Sequence, residues 1–110
     1  MTTDYAQEAP GRAEINALPG RTLVEFGTSW CGHCRAAQPQ ITRALATQPG
    51  LRHLKFEDGS GRPLGRSFGV TLWPTLVLLA DGRELGRVVR PTRPDALLEL
   101  LAQPDPPVPA

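Results

Sequence analysis

The chain alternates short apolar runs with longer amphipathic ones. Residues 22–26 (Thr-Leu-Val-Glu-Phe) are mostly apolar and β-prone, as in buried strands. Residues 31–48 carry Ala37, Ile41, Ala44 and Leu45 at helical spacing, which predicts an amphipathic helix. Thr28 or Ser29 supplies its cap, and Pro49-Gly50 ends it. Pro39 falls inside and should kink it, because proline removes a backbone donor and crowds the preceding turn. Residues 51–57 predict a second strand, 59–65 a loop and 64–68 a short helical turn. Residues 74–79 (Pro-Thr-Leu-Val-Leu-Leu) are the most apolar strand. Asp81-Gly82 is a hairpin signal, and 84–89 the return strand. Pro94 suits the first turn of a last helix, with Asp95 near its positive end and Leu97, Leu98 and Leu101 as its buried face.

Residues 1–19 form a polar segment punctuated by Pro10-Gly11 and Pro19-Gly20. A short helix is expected at 13–18, and a strand before it is only weakly signalled. Residues 104–110 hold four prolines and predict a tail. Between these ends lies one α/β domain, residues 20–103. Alternation followed by a hairpin implies a central mixed β-sheet with helices on both faces.

Composition sets limits. The 110 residues suit one domain. With 40% hydrophobic and 21% charged residues the chain is a folded one. A net charge of +1 makes no case for nucleic acid or a membrane surface. No apolar run approaches the ~20 residues of a membrane span. The first sixteen residues lack the basic cap and apolar core of a secretory signal, so a cytoplasmic location is expected.

The candidate chemistry sits at a strand-to-helix junction, Trp30-Cys31-Gly32-His33-Cys34. These are the only two cysteines, and a bridge between them closes almost no loop. If they pair, the purpose is chemical. A cysteine in the first turn of a helix meets unpaired N–H groups and the positive dipole end, which favour the thiolate that attacks disulfides. Cys31 is thus the expected exposed nucleophile. Cys34, three residues on, is the resolving partner.

These residues resemble the thioredoxin family, and Cys-Gly-His-Cys resembles the active site of its protein disulfide isomerase branch. The resemblance covers about residues 20–103. Trp30 precedes the pair, Pro39 stands at the helix-kinking proline, and Trp73-Pro74-Thr75 matches the cis-proline site that offers backbone groups to a substrate strand. Gly69-Val70 and Asp81-Gly82 also fit. The resemblance implies a thioredoxin fold. It also implies a thiol–disulfide oxidoreductase that exchanges the Cys31–Cys34 dithiol with protein disulfides through a mixed disulfide. No cofactor and no metal are implied. The expected partners are proteins carrying disulfides or thiols, with a reductase or glutathione as electron donor, and the chain is expected to be a monomer. The alternative is a partner-binding or chaperone module without redox turnover.

Further roles come from the same resemblance. Glu25 lies in a strand expected to be covered on both faces. The family places a buried carboxylate there as proton acceptor for the resolving cysteine. Lys55 aligns with a lysine that tunes this acid. It is the one lysine among twelve basic residues. Desolvation is expected to outweigh Lys55 and raise the Glu25 pKa, so that an apolar replacement would stabilise the fold. Gly32 and His33 tune the pair, since an imidazolium beside the sulfurs favours the thiolate. His53 is expected to be an ordinary, partly exposed strand residue. Trp30 and Trp73 are core aromatics or a substrate platform. Pro74 and Thr75 complete that surface. Arg90 occupies the place of a glycine that keeps the family's docking surface flat. Gly27 stands where many thioredoxins carry a second tryptophan, and Trp73 where most carry a small aliphatic residue.

Other chemistries fit poorly. A zinc site would have to use His33, which points badly between its cysteines. Arg35 stands where covalent haem needs histidine. Leu64 takes the third glycine position of a dinucleotide fingerprint.

Overall fold

The expected order of elements appears in the computed structural model, which describes residues 4–106. Residues 107–110 of the expected tail lie outside the described residues. The elements are α1 (Arg12–Asn16), β1 (Arg21–Gly27), α2 (Gly32–Leu45), β2 (Arg52–Glu57), α3 (Pro63–Ser67), β3 (Thr75–Ala80), β4 (Arg83–Val89) and α4 (Asp95–Leu101). The strands form one mixed sheet in the order β2-β1-β3-β4, with β1 parallel to β2 and the other pairs antiparallel. β1 is therefore interior, and Thr22 to Gly27 are all buried.

The twofold alternation of strand side chains divides the core. Leu23, Leu76 and Leu78 face α2 and α4, packing on Ala37, Ile41, Ala44, Leu97, Leu100 and Leu101. Val24, Phe26, Val77 and Leu79 face the other way, onto Ile15 of α1, Leu64 of α3 and Phe68. Glu25 and Gly27 share the parity of Leu23, so the motif's helix lies over them.

Several local expectations are corrected. Leu98 is exposed and Leu100 is buried in its place. Residues 97, 100 and 101 share a helical face, and 98 lies about 100° around from 97. Cys31 caps α2, not Thr28 or Ser29. The Thr28 hydroxyl is buried without a hydrogen bond among the described residues. Pro94 is the N-cap of α4, one residue before its first turn. Pro39 lies inside α2.

Two features at the chain's turns position the site. Asp81 and Gly82 both have positive φ (49° and 81°), the twist that a two-residue hairpin needs. A Cβ on Gly82 would lie 2.1 Å from the Asn16 carbonyl oxygen, so only glycine fits. The weakly signalled N-terminal strand is a single parallel bridge. Ala6 N–H donates to the Lys55 carbonyl (2.9 Å), and Glu57 N–H donates to the Ala6 carbonyl (2.8 Å). This pins Tyr5 against the sheet on the α2 side, 7% exposed.

Candidate active site

Cys31 has extended backbone (φ −77°, ψ 123°) immediately before α2, and its Sγ accepts the Cys34 N–H at 3.3 Å. That donor is one of those a helix start leaves unpaired, and it points at the sulfur where negative charge would sit. Both cysteines are free thiols. The expectation of an openly exposed Cys31 is corrected: it shows 9% of its surface, against 1% for Cys34. Trp73 packs on the small cluster formed by the two cysteines and Tyr5. The Cys34 thiol is pushed up to about 11. Burial is the main cause and the neighbouring Cys31 sulfur adds to it, while the Thr28 backbone and the Tyr5 hydroxyl partly offset them. Gly32 and His33 are exposed, and a Cβ on Gly32 would meet nothing within 4 Å.

Beneath Cys34 lies a polar cluster. Cys34 and Gln38 are four apart on α2 and so share a face. Gly27 and Glu25 are two apart on β1 and do likewise. Cys34 sits over Gly27 so closely that a Cβ there would lie 2.6 Å from its Sγ and 2.9 Å from the Tyr5 ring. The tryptophan that many thioredoxins carry here could not enter. Glu25 is 0% exposed. One carboxylate oxygen takes His53 Nε2 at 2.9 Å. The other takes the Tyr5 hydroxyl and, at 3.0 Å, Gln38 Nε2. Lys55 Nζ is 3.9 Å from the second oxygen and donates to Gln38 Oε1 at 3.0 Å. It also lies 4.6 Å from the Tyr5 ring centre.

This cluster reverses the expected pKa direction for Glu25. Burial alone would raise it. Hydrogen bonds from His53, Tyr5 and Gln38, with the Lys55 charge, outweigh burial and hold the carboxyl below its ordinary value. Lys55 alone was weighed against desolvation, and three further donors decide the balance. His53 is also more than an ordinary strand residue. It is 21% exposed and links the buried carboxylate to the surface. The Tyr5 hydroxyl is raised far above its ordinary range, by burial first and then by Glu25 and Cys34, so it keeps its proton.

Tyr5, Gln38 and His53 were not singled out as site residues. Gln38 could have been found from its i+4 spacing to Cys34. His53 could have been found from its sharing a strand face with Lys55. Tyr5 lies in a segment without periodicity, and no pattern points to it.

On the open side, Trp30 is 71% exposed and meets Trp73 edge-on, with centroids 5.8 Å apart. Trp73 is half-buried and tethered by Nε1 to Asp58 Oδ2 at 2.8 Å. The Trp73–Pro74 bond is cis. Thr75 is buried, its hydroxyl donating to the Leu72 carbonyl at 2.6 Å. Arg90 holds φ at +51° and lies across this surface. Its backbone N–H donates to the Pro74 carbonyl and its Nε to the Trp73 carbonyl, both at 2.9 Å.

A dithiol capping a helix, beside a cis-proline and above a buried carboxylate, defines a thiol–disulfide oxidoreductase. The family model described as Thioredoxin matches residues 5–103, and the chain belongs to the thioredoxin family. The chain is 57% identical to the solved thioredoxin 2 of Pseudomonas aeruginosa PAO1 in its reduced form (TM-score 0.83, covering 92% of this chain and 94% of that one). It is 38% identical to thioredoxin of Chlamydia muridarum over 76% of this chain and 82% of that protein. It is also 44% identical to protein disulfide-isomerase A2 of Pongo abelii, over 54% of this chain and 12% of that protein. The protein is an oxidoreductase of the thioredoxin fold that acts on protein disulfides.

Proposed function

We propose that Cys31 attacks the substrate disulfide and Cys34 resolves the product. The observation that carries this assignment is the asymmetry of the two sulfurs. Cys31 accepts a helix N-terminal N–H, whereas Cys34 is closed off with its thiol raised to about 11. The Cys31 thiolate attacks one sulfur of the substrate. The substrate S–S bond breaks, its electron pair leaves on the other sulfur, and a mixed disulfide forms. Cys34 gives its proton toward Glu25 and attacks Cys31 Sγ. The Cys31–Cys34 bond forms as the substrate leaves as a thiolate. The substrate is reduced by two electrons and the enzyme dithiol is oxidised. Lys55 holds Glu25 in place through Gln38, and an imidazolium at His33 would favour the Cys31 thiolate.

Substrate docks on Trp30, Trp73, Pro74 and Thr75. A strand that pairs with the Trp73 carbonyl must displace the Arg90 side chain, which favours partners with an acid to receive it. The enzyme works as a cytoplasmic monomer, recharged by a reductase or glutathione. No helix among the described residues is long and apolar enough to cross a membrane, and the bacterial thioredoxins it resembles support this location. The domain unit is residues 20–103, with Tyr5 and Ile15 of the preceding segment packed onto its two faces.

Limiting alkylating agent near neutral pH should modify Cys31 first, and Cys34→Ser should accumulate mixed disulfides through Cys31. Preferential labelling of Cys34 would reverse the roles. Cys31→Ser should abolish disulfide turnover. Full turnover by that variant would remove Cys31 from the reaction, whereas no turnover by the unsubstituted protein would leave only the partner-binding reading.

A further inference from the structure

Glu25 is the acceptor proposed for the Cys34 proton, and this inference rests on that assignment. The hydroxyl of Tyr5 stands between the two. Tyr5 is pressed with the Cys34 sulfur onto the bare Cα of Gly27, and its hydroxyl donates to one Glu25 carboxylate oxygen. The Cys34 sulfur is its neighbour there, since one point above Gly27 lies 2.6 Å from that sulfur and 2.9 Å from the hydroxyl oxygen. The other Glu25 oxygen meets His53 Nε2, which reaches the surface. The remaining groups facing Glu25 are Gln38 from α2 and Lys55 from β2. β3 contributes the apolar Leu76. Gln38 and Lys55 donate hydrogen bonds but hold no lone pair free to receive a proton. The Tyr5 oxygen, which donates to Glu25 and accepts Gln38 Nε2 at 3.3 Å, keeps one.

We propose that Tyr5 is a catalytic proton relay, carrying the Cys34 proton to Glu25. A phenol can accept and donate at once. As Cys34 gives its proton to the Tyr5 oxygen, Tyr5 hands its own to the Glu25 carboxylate. The products are a Cys34 thiolate, a neutral Tyr5 and a protonated Glu25. Tyr5 never ionises, which suits a hydroxyl buried beside two acidic groups. The Tyr5 hydroxyl then donates to the new thiolate, which attacks Cys31 Sγ. Glu25 is held ionised by its donors and is a weak base on its own. The proton arrives on the oxygen that faces Tyr5 and Gln38, while His53 donates to the other one. The competing route is water in the cleft of about 60 Å³ beside Cys34, lined by Asp4, Tyr5, Thr28, Ser29, Arg35 and Gln38.

The test uses the reduced protein and an aromatic disulfide that releases a coloured thiolate. One thiolate appears when Cys31 attacks, and a second when Cys34 displaces it. Tyr5→Phe keeps the ring and removes only the hydroxyl. It should slow the second phase near pH 7 by roughly 100-fold, the scale of acid–base catalysis, and leave the first within about twofold. Slowing should fade toward high pH, where hydroxide removes the Cys34 proton directly. A second phase unchanged in Tyr5→Phe but slowed in Glu25→Gln would overturn the relay and leave the cleft water as the route. Equal slowing of both phases in Tyr5→Phe would make Tyr5 a structural residue and also overturn it. If Glu25→Gln left the second phase intact, the acceptor assignment itself would fall.

Discussion

The two faces of the sheet are built on opposite rules. Toward α1 and α3, the core cluster is apolar (Val24, Phe26, Val77, Leu79, Ile15, Leu64 and Phe68), and the only polar strand residues buried on that parity are the uncharged Thr22 and Thr75. Toward α2, the same strand that supplies Leu23 carries Glu25, just as fully buried. The apolar face gains from area removed from water. The polar face tolerates a carboxylate because donors from three segments converge on it, the Ala6 bridge segment, α2 and β2. A buried charge is costly alone and acceptable when each oxygen is satisfied. One face therefore resists cavities, and the other resists loss of any partner.

Perturbing each face in turn separates the two rules. Phe26→Ala opens a cavity beside Phe68, whose ring centre is 5.6 Å away. It should cost about 4 kcal/mol in chemical denaturation, with the Cys31 reaction unchanged in the remaining folded protein. Glu25→Leu should cost about 3 kcal/mol, because Tyr5, Gln38, His53 and Lys55 lose their common acceptor. The same variant should slow mixed-disulfide release. Burial considered alone predicts a stabilised Glu25→Leu, and a melting curve above wild type would restore that view. The smallest effect belongs to the surface. Arg90→Gly relieves a left-handed residue, worth about 1 kcal/mol, and loses a partly compensating hydrogen bond. Stability should rise by less than about 1 kcal/mol, and KM for protein disulfides should fall as the Trp73 carbonyl is uncovered.

Much of this was legible in the chain. The order of elements follows from periodicity, and the hairpin from Asp81-Gly82. The motif, its flanking Trp30 and the Trp73-Pro74-Thr75 turn marked the site. Local patterns could not show what depends on register and on a nonperiodic segment. Glu25 and Lys55 are opposite each other in the parallel pairing, which a family likeness suggested. His53 pairs with Leu23, two residues before Glu25, yet its Nε2 lies 2.9 Å from the carboxylate. Tyr5 enters through the single bridge at Ala6, which no alternation announces. Desolvation set against Lys55 alone favours a raised Glu25 pKa, and the donors from His53, Tyr5 and Gln38 reverse it.

The protonation state of Glu25 tests the account most directly. Its folded pKa is depressed, so its contribution to stability is complete above the unfolded value of ~4.3 and is lost as pH falls through the lower folded value. The side-chain carboxyl carbon of isotopically labelled Glu25 can be followed by NMR as the pH is lowered from 7. The account predicts an ionised carboxylate throughout the neutral range and a midpoint below ~4.3. A midpoint above that value would mean that burial wins over the donors, and would contradict the polar face as described.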